Sequence, residues 1–320
     1  MKEVTVVVFG GSGFIGSHLA ARLVEQGVRV VVPTRRAERA KHLIYLPRLE
    51  VVEADLSSDA TLRRLLKGAD AAINLVGVLH SRRGTPYGED FRRAHVELPR
   101  RIVAACAAQG VPRYLHMSAL GADRDGPSMY QRSKADGEVA ARADESVAAT
   151  IFRPSVVFGP GDSFLNTFAR MQKILPVIPL ACAGASFQPV YVGDVAQAFT
   201  NALRLPATRH QVYPLGGPSI YTLGELVRLA GEYAHHPRPI IELPEALGRL
   251  QAMFFELLPG DPVMSGDNLD SMKADNVVDP AIQALSAAAL GIRLTALEAV
   301  APHYLGGADH FDELRARAGR

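Results

Sequence analysis

Three glycines constrain this chain more than any other feature: Gly10, Gly13 and Gly16, set between a β-branched run and an amphipathic stretch. Glu3-Val-Thr-Val-Val-Val-Phe9 reads as a buried strand, while Ile15, Leu19, Leu23 and Val24 share one helical face. A strand that turns at once into a helix leaves little room for side chains. Gly10 permits the tight turn, Gly13 leaves the backbone open to an approaching group, and Gly16 lets helix and strand close together. The cradle Gly10-Gly11-Ser12-Gly13-Phe14-Ile15-Gly16 then offers free amides and a positive dipole end, which suit phosphate.

In this strand–turn–helix setting the glycines imply a bound dinucleotide. The next strand candidate, Val28 to Val32, runs into Pro33-Thr34-Arg35-Arg36, with Arg35 nineteen residues past Gly16. No carboxylate stands there to hold a ribose 2′-hydroxyl or repel a 2′-phosphate. Arg35 suits a 2′-phosphate by bidentate pairing and can stack on adenine. NADP(H) is therefore the expected cofactor and NAD(H) the alternative; the structural reading of Arg35 and Arg36 is a solvated pair. Asp55 either accepts from the adenine amino group, with Leu56 lining the ring, or N-caps a helix opening near Ser57 or Ser58.

Further strand candidates at Leu49 to Glu53, Ala71 to Val76, Arg113 to Met117 and Thr150 to Phe152 alternate with helical patterns. Near-continuous apolar strands between helices predict an α/β fold, a doubly wound parallel (Rossmann) sheet covered on both faces. After Gly159 the pattern changes. Proline and glycine punctuate the chain to Gly184, then Pro189 to Val192 and Val212 to Leu215 read as strands returning to the sheet. Helical patterns follow at Leu223 to Tyr233, Pro244 to Leu258 and Ala281 to Leu290, with a charged tail from Asp309. The expected division is 1–158 and 188–216 for the dinucleotide domain, and 159–187 and 217–320 for a smaller, mainly helical domain.

A formal charge of +2 over 320 residues leaves no basic footprint for nucleic acid. The run at Glu3 leaves no room for a signal peptide, and no apolar run reaches the roughly 18 residues of a membrane span. A cytoplasmic location, or one peripheral to a membrane, is expected. Cys106 and Cys182 read as small buried hydrophobes, and no metal site is expected; His235-His236 lack ligand spacing and read as solvated.

The chemistry concentrates in Tyr130-Gln-Arg-Ser-Lys134. Ser128 and Gln131 form a capping box that starts a helix, so Tyr130 and Lys134 share a face. A phenol with a pKa of about 10 is a poor base, and a neighbouring ammonium favours its ionised form. Lys134 can also donate to ribose hydroxyls. Ser118, at the tip of the Arg113 strand, is placed to orient a substrate oxygen. The structural alternative is a surface tyrosine beside a Lys134–Glu138 ion pair.

These motifs, with Arg153-Pro154-Ser-Val-Val-Phe-Gly-Pro160 and Val190-Tyr-Val-Gly-Asp194, resemble the extended, epimerase-like branch of the short-chain dehydrogenase/reductase superfamily. More narrowly, His116 to Asp123, Tyr130 to Glu138 and Gly266 to Val277 resemble the group related to the nucleotide-binding accessory subunit of mitochondrial complex I. The resemblance implies a cofactor held by Gly10, Gly13 and Gly16, Val76 and Gly77 on the adenosine side, Pro154 bordering the nicotinamide, and a Ser118–Tyr130–Lys134 triad. In an active enzyme, hydride would pass between nicotinamide and substrate while Tyr130 moves the proton. The subgroup instead implies cofactor binding with a structural or redox-sensing role, a small-molecule or quinone substrate, and peripheral association with a membrane complex. Three departures argue against a sugar-nucleotide epimerase. Ser118 precedes Tyr130 by only twelve residues, Ala119 replaces a hydroxyl, and His95 stands where relatives often carry asparagine.

Two features stand apart from that site. Leu247, Leu250, Met253, Phe254, Leu257 and Leu258 have helical spacing, expected as core of the small domain, with a docking surface as the alternative. Arg82-Arg83 reads as solvated loop charge.

Overall fold

A computed structural model describes residues 4–257, 260 and 262–306. The chain divides into two compact units. One runs to Ser155 and takes in Val192–Leu215 and Val278–Arg293; the other comprises Val156–Tyr191, Gly216–Val277 and the chain from Leu294.

The first unit is built on seven strands: β1 (Thr5–Phe9), β2 (Arg29–Thr34), β3 (Leu49–Glu53), β4 (Ala71–Asn74), β5 (Arg113–Met117), β6 (Ala148–Pro154) and β7 (Val212–Leu215). Every pairing is parallel, in the order β7-β6-β5-β4-β1-β2-β3. Strand order reverses between β1 and β4, so a crevice opens beyond their carboxyl ends. Its helices include α1 (Phe14–Glu25), α2 (Asp59–Leu66), α3 (Leu98–Gln109), α4 (Met129–Ala141) and α5 (Val192–Arg204). Val7 and Phe9 pack in one core with Leu62 and Leu66 of α2, Ile102 and Cys106 of α3 and Ala141 of α4. Their neighbours Val6 and Val8 are equally buried, which in a strand means the opposite face. Two covered faces explain why β1 reads as an unbroken apolar run.

Three expectations about this unit change. The fourth strand ends at Asn74 rather than Val76, because the Asn74 carboxamide oxygen accepts the Val76 N–H at 3.1 Å and turns the chain. Val190–Tyr191 does not return to the main sheet; it pairs with Val157–Phe158 in a two-stranded sheet of the second unit. The helix Pro280–Leu290 belongs to the first unit. There Asn201 of α5 donates to Leu290 O at 2.7 Å.

The second unit has its own core, in which Phe168 of Phe164–Ile174 meets Leu226 and Ala230 of Leu223–Tyr233 and Ala301 of Ala301–Leu305. The helix Glu245–Leu257 corrects the reading of its apolar stripe as core. It buries a different face, with Gly248 so close to Ala181 that an added Cβ would lie 2.5 Å from the alanine methyl, and Ala252 at 0 % exposure. Leu247, Leu250, Met253, Phe254 and Leu257 are exposed, Leu257 by 78 %. Leu258 and the tail from Asp309 lie outside the described residues. No helix among the described residues is long and apolar enough to cross a membrane.

Candidate dinucleotide site

The glycine cradle closes directly onto the end of β4. Gly10 has φ +79°, and a Cβ on it would fall 3.0 Å from Leu75 C and 3.1 Å from Val76 N. Gly16 is closed: a Cβ there would lie 2.3 Å from Gly10 O and 2.6 Å from Gly11 Cα. Gly13 differs. It is exposed, has φ −83°, and a Cβ on it would meet only Gly10 O at 3.3 Å. Gly13 is the N-cap of α1, no side chain caps that helix start, and no acidic residue lies in its first turn. Uncapped amides beside an open, side-chain-free face fit a pyrophosphate.

Beyond β2, Thr34 Oγ1 holds the Arg36 backbone, and Glu53 Oε2 accepts from Ala37 N at 3.2 Å. That Glu53 carboxylate is thus engaged with backbone. Arg35 and Arg36 are exposed. Asp55 is exposed, and both its oxygens accept from Ser57, from the amide at 2.9 Å and the hydroxyl at 2.6 Å, which lowers its pKa. The N-cap reading of Asp55 therefore gives way. Ser58 caps α2, accepting from Thr61 N at 3.3 Å. Leu56 and Val76 each pack against the core of the first unit.

The Tyr130 region lies at the ends of β4 and β5. The capping box is present, with Ser128 Oγ accepting from Gln131 N at 3.1 Å and Gln131 Oε1 from Ser128 N at 3.2 Å. It starts α4 so that Tyr130, Lys134 and Glu138 follow at successive turns. Lys134 Nζ stands 5.6 Å from the Tyr130 ring centroid and donates to Met117 O at 3.3 Å. A Cβ on Gly77 would lie 3.3 Å from that nitrogen. The structure thus brings Gly77, Tyr130 and Lys134 together. Pro154 is buried at the end of β6, its carbonyl accepting from Leu120 N at 2.8 Å.

Electrostatics depart from the expected activated phenol. Burial pushes Tyr130 up to about 12, and burial brings Lys134 down to about 8, partly offset by Glu138. The exposed Lys134–Glu138 pair of the structural alternative is absent from this arrangement, since both side chains are buried. Glu138 instead pairs with Arg153 through two contacts of 2.7 Å. It also accepts the Ser118 hydroxyl at 2.6 Å. Ser118 is 2 % exposed. Its proton goes to the buried Glu138 carboxylate. Sequence reasoning missed Glu138 and Arg153 as a unit, because a pair fifteen residues apart on a helix and a strand leaves no local signal.

An uncapped glycine cradle at the switch point of a parallel sheet, with tyrosine and lysine on a helix beside it, defines a dinucleotide-binding protein of the short-chain dehydrogenase/reductase type. Residues 6–216 match the NAD dependent epimerase/dehydratase family, and the chain belongs to that family. It is 31 % identical over 304 residues to NADH dehydrogenase [ubiquinone] 1 alpha subcomplex subunit 9, mitochondrial, of Mus musculus, covering 93 % of this chain and 78 % of that protein. It is 30 % identical over 240 residues to ceramide reductase of Caulobacter vibrioides, covering 75 % and 74 %. The fold is similar to that of UDP-glucuronic acid 4-epimerase from Bacillus cereus, solved with UDP-glucuronic acid and NAD: TM-score 0.71, 18 % identity, 97 % of this chain and 100 % of that one.

Proposed function

We propose that this protein holds NADP(H) on its first unit as a structural or redox-sensing cofactor, with turnover slow or absent. Gly10, Gly13, Phe14, Ile15 and Gly16 would hold the pyrophosphate, Arg35 the 2′-phosphate, and Asp55 with Leu56 the adenine. Val76 and Gly77 would line the adenosine side, Tyr130 and Lys134 the ribose, and Pro154 the nicotinamide. When bound, the nicotinamide would supply a hydride donor or acceptor.

One observation carries the non-catalytic part. The Ser118 hydroxyl is donated to Glu138 under Arg153, and Ala119 follows it. Tyr130 therefore works without the hydroxyl that the triad reading assigned to substrate. The mouse relative is a subunit by name, and the exposed stripe on Glu245–Leu257 supports peripheral association of this chain with a larger complex. The expected result is a purified protein that binds NADPH without acceptor-dependent oxidation, and that sediments in lysate gradients well beyond its own 34.4 kDa. Rapid oxidation by a monomer would count against it.

The second reading is an active reductase. The shared face of Tyr130 and Lys134 and the similarity to ceramide reductase favour it. NADPH oxidation with long-chain or other carbonyl acceptors, abolished by Tyr130→Phe, would establish it in place of the first.

Cofactor preference rests on Arg35. Arg35→Ala is expected to weaken NADPH binding about tenfold, the worth of one charge-assisted phosphate contact, with NADH unchanged. Equal losses for both cofactors, by calorimetry, would remove the assignment of NADP(H).

A further inference from the structure

Arg101 stands on the first turn of α3, and all three of its guanidinium nitrogens reach back to the turn between β3 and α2. Nε donates to Asp59 Oδ1 at 2.6 Å, one terminal nitrogen to Leu56 O at 3.0 Å, and the other to Ser57 O at 2.7 Å. A guanidinium is planar and holds its N–H groups in a fixed fork, so three such bonds set the direction of the turn as well as its position. A lysine ammonium at the same place is a single point charge and cannot match that geometry.

The Asp59 contact alone would be an ordinary surface ion pair, because the Asp59 side chain is 61 % exposed. The two carbonyl bonds are different. Ser57 is the residue that aims Asp55, giving its amide hydrogen to one carboxylate oxygen and its hydroxyl hydrogen to the other. Arg101 therefore grips the carbonyl of the residue on which Asp55 is folded. Each Asp55 oxygen keeps a further lone pair, and the residue is exposed. The Leu56 side chain packs against the core of the first unit, so the turn is anchored on one side and open on the other.

We propose that Arg101 is a positioning residue for the adenine end of the dinucleotide site: by clamping the Leu56 and Ser57 carbonyls it fixes the direction in which Asp55 accepts from the adenine amino group. The role rests on the dinucleotide reading and on the place of Asp55 within it. Without the clamp the turn keeps its internal bonds but loses its fixed orientation, and the ligand must order it on binding.

The test changes the base and nothing else. In deamino-NADPH hypoxanthine replaces adenine, so a carbonyl oxygen stands where the amino donor was, while the pyrophosphate, 2′-phosphate and nicotinamide are the same. The wild type should bind NADPH about tenfold more tightly than deamino-NADPH, the worth of one hydrogen bond to a charged group. Arg101→Gln and Arg101→Lys should each lose about tenfold for NADPH and stay within about threefold for deamino-NADPH, so that discrimination between the two falls to about threefold or less. Equal losses for both nucleotides, which keep the discrimination while the melting temperature falls, would make Arg101 a packing residue; that result sinks its role and leaves the cofactor reading intact. Discrimination kept by Arg101→Lys alone would assign the effect to charge instead of the fork and contradict the clamp. A wild type that binds both nucleotides equally overturns the role of Asp55 and that of Arg101 with it. A wild type that binds neither overturns the dinucleotide reading itself.

Discussion

Gly13→Val is expected to leave the melting temperature within about 2 °C of the wild type and to weaken dinucleotide binding by at least about 100-fold, roughly 2.7 kcal/mol. The reasoning is geometric. At Gly13 the backbone is already in a region open to any residue, and an added Cβ meets a single carbonyl at 3.3 Å. The side chain projects from an exposed position into the space a pyrophosphate would need. Gly16→Val is the control with the opposite signature. Its Cβ would fall 2.3 Å from Gly10 O and 2.6 Å from Gly11 Cα, both rigid backbone. That variant should lose about 3 kcal/mol of stability or fail to fold. Denaturant melts and NADPH titrations of the two variants separate a ligand-facing glycine from a packing glycine. Equal destabilisation with unchanged binding would remove the cradle.

The second large effect is a trade between stability and binding at Lys134. Lys134 is 5 % exposed and its pKa is brought down to about 8, chiefly by burial. Against the usual lysine value of 10.5, the folded chain pays about 3 kcal/mol at pH 7 to keep that charge. Lys134→Met keeps the apolar stem and removes the charge. The variant should therefore be more stable by about that amount at pH 7, and bind NADPH at least about tenfold more weakly. The pH dependence has a definite sign. Between about 8 and 10.5 the unfolded lysine holds a proton that the folded one has released, so wild-type stability from this group rises with pH. The advantage of Lys134→Met should shrink by about 1 kcal/mol between pH 7 and pH 9. Chemical denaturation at the two pH values reads this directly. A less stable variant, or an advantage that grows with pH, would contradict the burial of a charged Lys134.

The sheet was legible because its signals are local. Leu49 to Glu53 and Arg113 to Met117 fall on the observed strands, and at Gly10 and Gly16 the backbone closes too tightly for a side chain. Elements whose placement depends on distant partners were not legible. Val190–Tyr191 has strand composition, but its partner Val157–Phe158 lies in the second unit. Pro280–Leu290 reads as a helix, yet nothing local says that it joins the first unit. The Leu247 stripe was misread because helical spacing shows that a face is apolar without showing what covers it. In the structure the smaller residues Gly248 and Ala252 face the core.

At the site, Tyr130 and Lys134 could be placed from one turn of helix. The state of their protons could not, because burial sets it. Ser118 stands at the strand tip as expected, yet the direction of its hydroxyl depends on Glu138 and Arg153. His95 showed only as an unusual residue until Val78 and Ser133 were seen on either side of it.

The chain contains no tryptophan, so the emission of reduced nicotinamide can be followed without interference from indole. Titrating the purified wild type with NADPH, and separately with NADH, tests the central claim most directly. Saturable binding of about one NADPH per chain, tighter than NADH, is the expected result. An absence of saturable binding with either nucleotide, in a folded protein, would contradict it.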